Sequence, residues 1–389
     1  MNSTTKLLFY VAILFVVSCK QPSDMLTVIN PDGSCYREFT ACGDPQFLAG
    51  DTAAKLNPFP VEIDSSWKIT WRYKNSKLRS DFPVSKLVWD SIMKDIKQNK
   101  EPQKRGITEN TSADLLVFAR HNYKSVGELA NQFKLKRSHE WSNLKVNYSL
   151  QKKFRWFYTY FTYRETYPKI KLNFDIPIEE YMSREEAQFW FTGKPDILKG
   201  MNGVESREYI GEIEDNYNKW FAQNSWNAEY KILINNYDQL TDKPVSKKRL
   251  ELMKDTIFNS GPKNSPDFNM EKNLNNYFKT KAFTSLWQTE NSPMKKYEND
   301  FNNQAFVKYF SGSFTYKLVM PGKVIQSGNA VIHGDTLVWK LTAYRMIPAN
   351  YVIEAQSRRA NIWVFILTGI IVVVAIGSFL WKPKKAINI

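Results

Sequence analysis

Phe154-Arg-Trp-Phe-Tyr-Thr-Tyr-Phe-Thr-Tyr163 is built almost entirely from aromatic and β-branched residues. A helix over that run would carry Ala, Leu or Glu somewhere, and none is present. Asn143 to Tyr167 is therefore predicted to form one or two long strands. Working toward the N-terminus, Trp67-Lys-Ile-Thr-Trp-Arg-Tyr73 alternates, with Trp67, Ile69, Trp71 and Tyr73 on one face. Met25 to Asn30 and Cys35 to Ala41 flank Pro31-Asp-Gly-Ser34, whose Pro and Gly are turn formers, so 25–41 reads as a hairpin. Working toward the C-terminus, Phe314 to Val319, Ala330 to Ile332, Leu337 to Leu341 and Tyr351 to Ala355 read as strands, with His333-Gly-Asp335 as a turn. Isolated hairpins are marginal in water, so the strands from both ends of the chain are expected to share one antiparallel sheet.

The middle has a different period. Ser183-Arg-Glu-Glu186 is a capping box, Ala187 to Phe191 follow it, and Gly193 closes the helix. Tyr209, Ile210, Ile213, Tyr217, Trp220 and Phe221 fall at helical spacing, as do Leu250, Met253 and Ile257, and again Leu274, Tyr277 and Phe278. The fold class expected is α+β: an antiparallel β-rich domain from 25–167 with 306–359, interrupted by a helical insertion at 168–305. Shorter helices are expected near 84–98 and 124–133.

The ends place the chain. One basic residue, Lys6, precedes the apolar run Leu7 to Val17, the length of a signal-peptide core and too short to span a bilayer. Val16-Val-Ser-Cys19 then resembles the lipobox of bacterial lipoproteins. That resemblance implies a signal peptide over 1–18, a lipid on the Cys19 thiol, and a tether at 19–24. At the other end, Ile362 to Trp381 is twenty residues without a charge, roughly 30 Å of helix at ~1.5 Å per residue, with Trp363 and Trp381 at its two ends. This reads as a transmembrane helix within 360–381, followed by a cytoplasmic tail at 382–389. A signal peptide commits the segment after it to translocation. The ectodomain is therefore expected on the outer side of a bacterial cytoplasmic membrane, lipid-anchored at its N-terminus and single-pass at its C-terminus.

Charge then has a compartment. The chain carries 54 Lys+Arg against 39 Asp+Glu; setting aside Lys6 and the three tail lysines leaves the ectodomain at +11. Nucleic acid is excluded as a partner by location. The lipid bilayer, anionic lipids, a cell-wall polymer or another envelope protein remain. With 57 aromatics the chain is not disordered, and three cysteines exclude a disulfide scaffold. Cys35 and Cys42 could pair only if the chain turned sharply between them, since seven extended residues span roughly 23 Å against the ~6 Å of a disulfide.

The Asn30-Pro-Asp-Gly33 hairpin near a lipidated N-terminus, the Gly334-Asp-Thr-Leu-Val-Trp-Lys-Leu341 strand and a span just after the last strand together resemble the plan of LppM-like bacterial lipoproteins. The resemblance covers the two ends of the chain and not its helical middle. It implies fold and location, and carries no enzymatic activity with it.

Chemistry is sparse. His121, His139 and His333 have no partner at i+3 or i+4 that makes a metal site, and His139-Glu140 lacks the second His of a zincin helix. There is no P-loop and no G-x-S-x-G elbow. Glu179-Glu180, Glu185-Glu186, Glu212 and Glu214-Asp215 are the carboxylates from which an envelope glycan hydrolase would draw its acid and base. Adjacent pairs on amphipathic helices are more often solvated faces. The expected function is thus a non-catalytic binding or envelope-organising ectodomain with no catalytic, metal or cofactor-binding residue, and with Cys19 as its lipidation site; the glycan hydrolase is the alternative. Short leashes, Lys20 to Asp24 and Gln356 to Asn361, should hold the β domain against the headgroups with the insertion projecting outward.

Overall fold

In the computed structural model of the protein, the described residues are 23–381 except 43–44, 53–55, 75, 89, 91–114, 173, 262–268 and 304. The signal peptide expected over 1–18, Cys19, the tail expected at 382–389 and most of the helix expected at 84–98 lie outside them; within that helix, 86–88 are helical.

The strands are β1 (Ser23–Ile29), β2 (Cys35–Cys42), β3 (Lys68–Tyr73), β4 (Ser80–Asp81), β5 (Leu115–Tyr123), β6 (Asn147–Arg155), β7 (Tyr158–Tyr167), β8 (Ser313–Val319), β9 (Lys323–Gln326), β10 (Val331–His333), β11 (Thr336–Thr342) and β12 (Tyr351–Ala360). They make two sheets, not one. The larger has the order β10-β11-β8-β1-β2-β5-β3-β4, and the smaller has the order β6-β7-β12-β9. The strands at 25–30 and 351–355, expected in a common sheet, are therefore in different ones. Pairing within the two sheets is antiparallel except where β1 meets β8, which runs parallel from Ser23 opposite Phe314 to Val28 opposite Val319. That pair joins a strand near the start of the described chain to one that follows the helical insertion.

Each sheet buries one face, as period-two patterning requires. Met25, Thr27 and Ile29 of β1, Phe314, Tyr316 and Leu318 of β8, and Phe161, Tyr163 and Tyr167 of β7 are buried and belong to one core that runs between the sheets, Thr27 excepted as a polar member. The aromatic run resolves into two strands joined by a two-residue turn, Trp156-Phe157, with Arg155 paired to Tyr158.

The helices are α1 (Val126–Gln132), α2 (Arg184–Thr192), α3 (Gly203–Asn236), α4 (Lys247–Leu252), α5 (Lys254–Ser260), α6 (Met270–Phe278), α7 (Pro293–Asn303), α8 (Ala305–Tyr309) and α9 (Ile362–Leu380). The capping box at α2 forms as the sequence suggests: Ser183 Oγ accepts from Glu186 N at 3.1 Å, and Glu186 Oε2 accepts from Ser183 N at 2.7 Å. Gly193 follows in the left-handed region with φ 74°. At ~1.5 Å per residue α3 is roughly 50 Å long. Its first half puts Ile213, Tyr217, Trp220 and Phe221 in the core of the β domain; its second half puts Trp226, Tyr230 and Leu233 in a second core with Leu250, Ile257 and Leu274. The chain leaves the small sheet for the helical insertion at the end of β7, where Ile170 N donates to Met346 O and Lys169 N donates to Asn350 Oδ1, beside the first residue of β12.

The other end of that sheet leads into α9. β12 runs to Ala360, so the expected leash of Gln356 to Asn361 is mostly strand, and Asn361 alone joins it to the helix. Ile353, Ala355 and Ser357 continue the buried face through a polar-looking stretch, which is why the strand outlasts its apolar residues. α9 is long and apolar enough to cross a membrane, with mean hydropathy 2.6 over its most apolar window. Of its residues only Val364 is fully buried, and from Gly369 onward the helix is exposed.

Candidate functional site: a basic cavity over a buried ion pair

Alternation assigns Cys35, Arg37 and Phe39 of β2, and Thr159, Phe161, Tyr163, Glu165 and Tyr167 of β7, to the buried faces of their sheets. Two charged residues thus occupy positions that the pattern reserves for apolar ones, and they meet. Arg37 Nη2 lies 2.5 Å from Glu165 Oε1, with both side chains at 0% exposure. Arg37 Nε donates to Thr27 Oγ1 at 3.1 Å and Nη1 to the Tyr148 hydroxyl at 3.4 Å. Its guanidinium also lies over the Phe133 ring, 4.6 Å from the centroid, where cation–π attraction adds to the ion pair.

Glu165 is equally occupied. Its Oε1 accepts from Tyr163 at 2.6 Å and Tyr316 at 2.5 Å, and its Oε2 accepts from Tyr167 at 2.7 Å. Burial, reinforced by the Glu165 charge, pushes the three tyrosine hydroxyls well above their ordinary range, so they remain donors. Burial alone would push Arg37 down. Glu165 and the surrounding Tyr148, Tyr163 and Tyr316 together outweigh it and hold the guanidinium well above its ordinary value. With four donors on one carboxylate, Glu165 serves to hold Arg37 in place.

Above this pair a cavity of about 660 Å³ opens between the sheets. Arg37, Met25, Trp141, Tyr148, Tyr167 and Phe314 form its floor and walls, and Lys134, Arg137 and Lys145 belong to its exposed rim. Among the described residues no carboxylate lines it. The outer wall is the segment from Phe133 to Val146, which follows α1 and is pinned at three places. Lys136 Nζ donates to Asn57 O at 2.7 Å, Val61 forms a β-bridge with Leu135, and Trp141 Nε1 donates to Tyr309 O at 2.7 Å. Trp141 fits because residue 312 is glycine: a Cβ there would lie 2.7 Å from Trp141 Nε1. A volume of this size with largely apolar walls and a cationic rim suits an amphipathic anion.

The carboxylates considered for glycan hydrolysis are elsewhere. Glu179 and Glu180 are exposed on a single 3-10 turn, Glu185 is exposed in the first turn of α2, and Glu212, Glu214 and Asp215 are exposed on α3. Glu186 is committed to its cap, whose backbone hydrogen bond holds its carboxyl below the usual range, and it also accepts from the Tyr209 hydroxyl at 2.9 Å. Among the described residues no group of three or more His, Cys, Asp and Glu could hold a metal ion. His139 stacks on Phe314 with centroids 5.3 Å apart, His121 packs against Trp67 and Tyr123, and His333 is exposed on β10. Cys35 and Cys42 are free, at opposite ends of β2. Burial pushes the Cys35 thiol up to about 11.

Arg37 and Glu165 were not singled out from the sequence, although a signal exists. Each is a charge on the apolar register of an otherwise regular strand. Lys134, Arg137 and Lys145 carry no such signal, because a lysine-rich loop looks the same whether or not it rims a cavity. Comparison with protein families, with curated proteins and with solved structures found no match to this chain.

Proposed function

We infer that the protein is a membrane-anchored extracytoplasmic lipoprotein whose ectodomain binds an anionic amphipathic ligand without turning it over. The cavity carries this reading: Lys134, Arg137 and Lys145 rim a space of about 660 Å³ with no carboxylate among the described residues of its lining, while Arg37 in its floor is neutralised by Glu165. The anchoring part rests on the apolar α9 and on the lipobox-like Val16 to Cys19. The bacterial cytoplasmic membrane, with the ectodomain outside, is the location these two features favour together. A posture with the helical insertion outward is supported by its attachment at the Tyr351 end of β12, roughly 30 Å of strand away from Ala360.

Ligand-observed NMR on the full chain in nanodiscs, with hexyl phosphate and the uncharged hexanol as probes, tests the binding reading. Hexyl phosphate should bind and hexanol should not. Lys134→Glu with Arg137→Glu should weaken the anion, since each exposed rim cation is worth up to about 1 kcal/mol. Equal binding of the two probes, or an unchanged affinity in the variant, would overturn it. For the anchor, Cys19→Ser should abolish palmitate labelling while α9 keeps the chain in the membrane; labelling that persists in the variant removes the lipoprotein reading.

A further inference from the structure

The turn between β6 and β7 breaks the usual chemistry of two-residue hairpins. Such turns favour Asn, Asp or Gly, whereas this one is Trp156-Phe157. Both are exposed, at 50% and 37%, and Phe154 beside them is at 54%. On β6 the inner face runs Tyr148, Leu150, Lys152, Phe154, and burial ends after Leu150, so the last part of the hairpin projects beyond the core.

It projects alongside α9. Phe154 stacks on Trp363 with centroids 6.2 Å apart, Phe157 lies 4.7 Å from Phe365, and Trp156 Nε1 donates to Thr368 Oγ1 at 3.1 Å. The joint is stiff. Asn361 N donates to Phe157 O at 2.9 Å, its Nδ2 donates to Trp156 O at 2.9 Å, and its Oδ1 accepts from Thr159 Oγ1 at 2.8 Å. Thr368 is six residues beyond Ile362, or roughly 9 Å along the helix axis. Lys153, Arg155, Lys323 and Arg359 are exposed around the same end of the small sheet, Arg155 being paired with Tyr158 and Arg359 with Thr159.

We propose that the β6–β7 tip, Phe154 to Phe157, is a second membrane-inserted element that enters the same leaflet as α9, with the surrounding lysines and arginines on anionic headgroups. Continuity with the apolar helix commits the surface to lipid: wherever the first two turns of α9 go, Trp156 goes with them. Aromatic side chains prefer the headgroup boundary, and a depth of roughly 9 Å lies within the reach of interfacial anchors. The tip therefore fixes the tilt and rotation of the whole ectodomain about its span, which a single helix alone leaves free.

The proposal rests on α9 being a span, and the test separates the two. The full chain is reconstituted in phosphatidylcholine vesicles, with or without phosphatidylglycerol, carrying p-benzoylphenylalanine at position 154, 156, 332 or 370. Irradiation should give lipid adducts at 154, 156 and 370 and none at 332, with the yield at 156 higher when phosphatidylglycerol is present. Adducts at 370 without any at 154 or 156 overturn the inserted tip and leave the span standing. No adduct at 370 overturns the span itself. Equal yields at 156 in the two vesicle types overturn the headgroup contact. Because 154 and 156 are both exposed, failure of one variant to fold leaves the other as the readout.

Discussion

Replacing Arg37 by Met removes a guanidinium that is at 0% exposure and leaves Glu165, also at 0%, without its cation. Breaking a buried pair from one side costs about 3–5 kcal/mol, because the remaining charge cannot reach water. Glu165→Gln should cost a similar amount from the other side, since Arg37 then lacks a counter-charge. The double variant Arg37→Met with Glu165→Gln should recover most of either loss. The amide carbonyl still accepts from Tyr163 and Tyr316, which share one carboxylate oxygen, and only the Tyr167 bond to the other is lost. A residual deficit of about 1–3 kcal/mol follows from one buried hydroxyl without an acceptor. The two single losses should therefore exceed the double loss by about 3 kcal/mol or more. Urea unfolding of the full chain in nanodiscs, followed by tryptophan fluorescence at constant slope, measures all three. A loss below about 1 kcal/mol in Arg37→Met, or a double variant whose loss equals the sum of the singles, would refute the buried-pair account. Leucine at 165 is the contrasting case: it strands three tyrosine hydroxyls and should not rescue Arg37→Met.

Gly322→Ala should destabilise the β8–β9 turn by about 1–3 kcal/mol, because its φ of +78° disfavours a side chain and a Cβ would lie 2.4 Å from Arg358 O; a melting temperature equal to the parent's would contradict this. Thiol labelling of the folded chain at pH 8 should modify Cys42 and spare Cys35. Burial raises Cys35 from 9.0 to about 11 and lowers its thiolate fraction about a hundredfold. The folded state thus holds that proton longer than the unfolded chain. Its contribution is present below pH 9.0 and is lost as the pH rises toward 11; if alkaline titration over that window left unfolding unchanged, Cys35 would not be the group responsible.

Local pattern determined most of the elements. Turn residues located the hairpin at 25–41, alternation the strand around 67–73, and strand-forming composition with turn signals those around 314–319 and 337–341; the capping box and helical spacing located α2 and α3; twenty uncharged residues located α9. These signals live within a few residues, because strand and helix periods are properties of the backbone. What pairs with what is not written at that range. The parallel meeting of β1 with β8, the division into two sheets and the extension of β12 to Ala360 depend on which buried faces fit together. Arg37 and Glu165 lie 128 residues apart in the chain, and although each stands on the apolar register of its strand, nothing local names the other as its partner. Only the packing of one sheet on the other brings them together, sets the rim lysines around one cavity, and lays the Trp156 turn along the root of α9. Charge and aromatic exposure acquire meaning from what stands opposite them, and that is a tertiary fact.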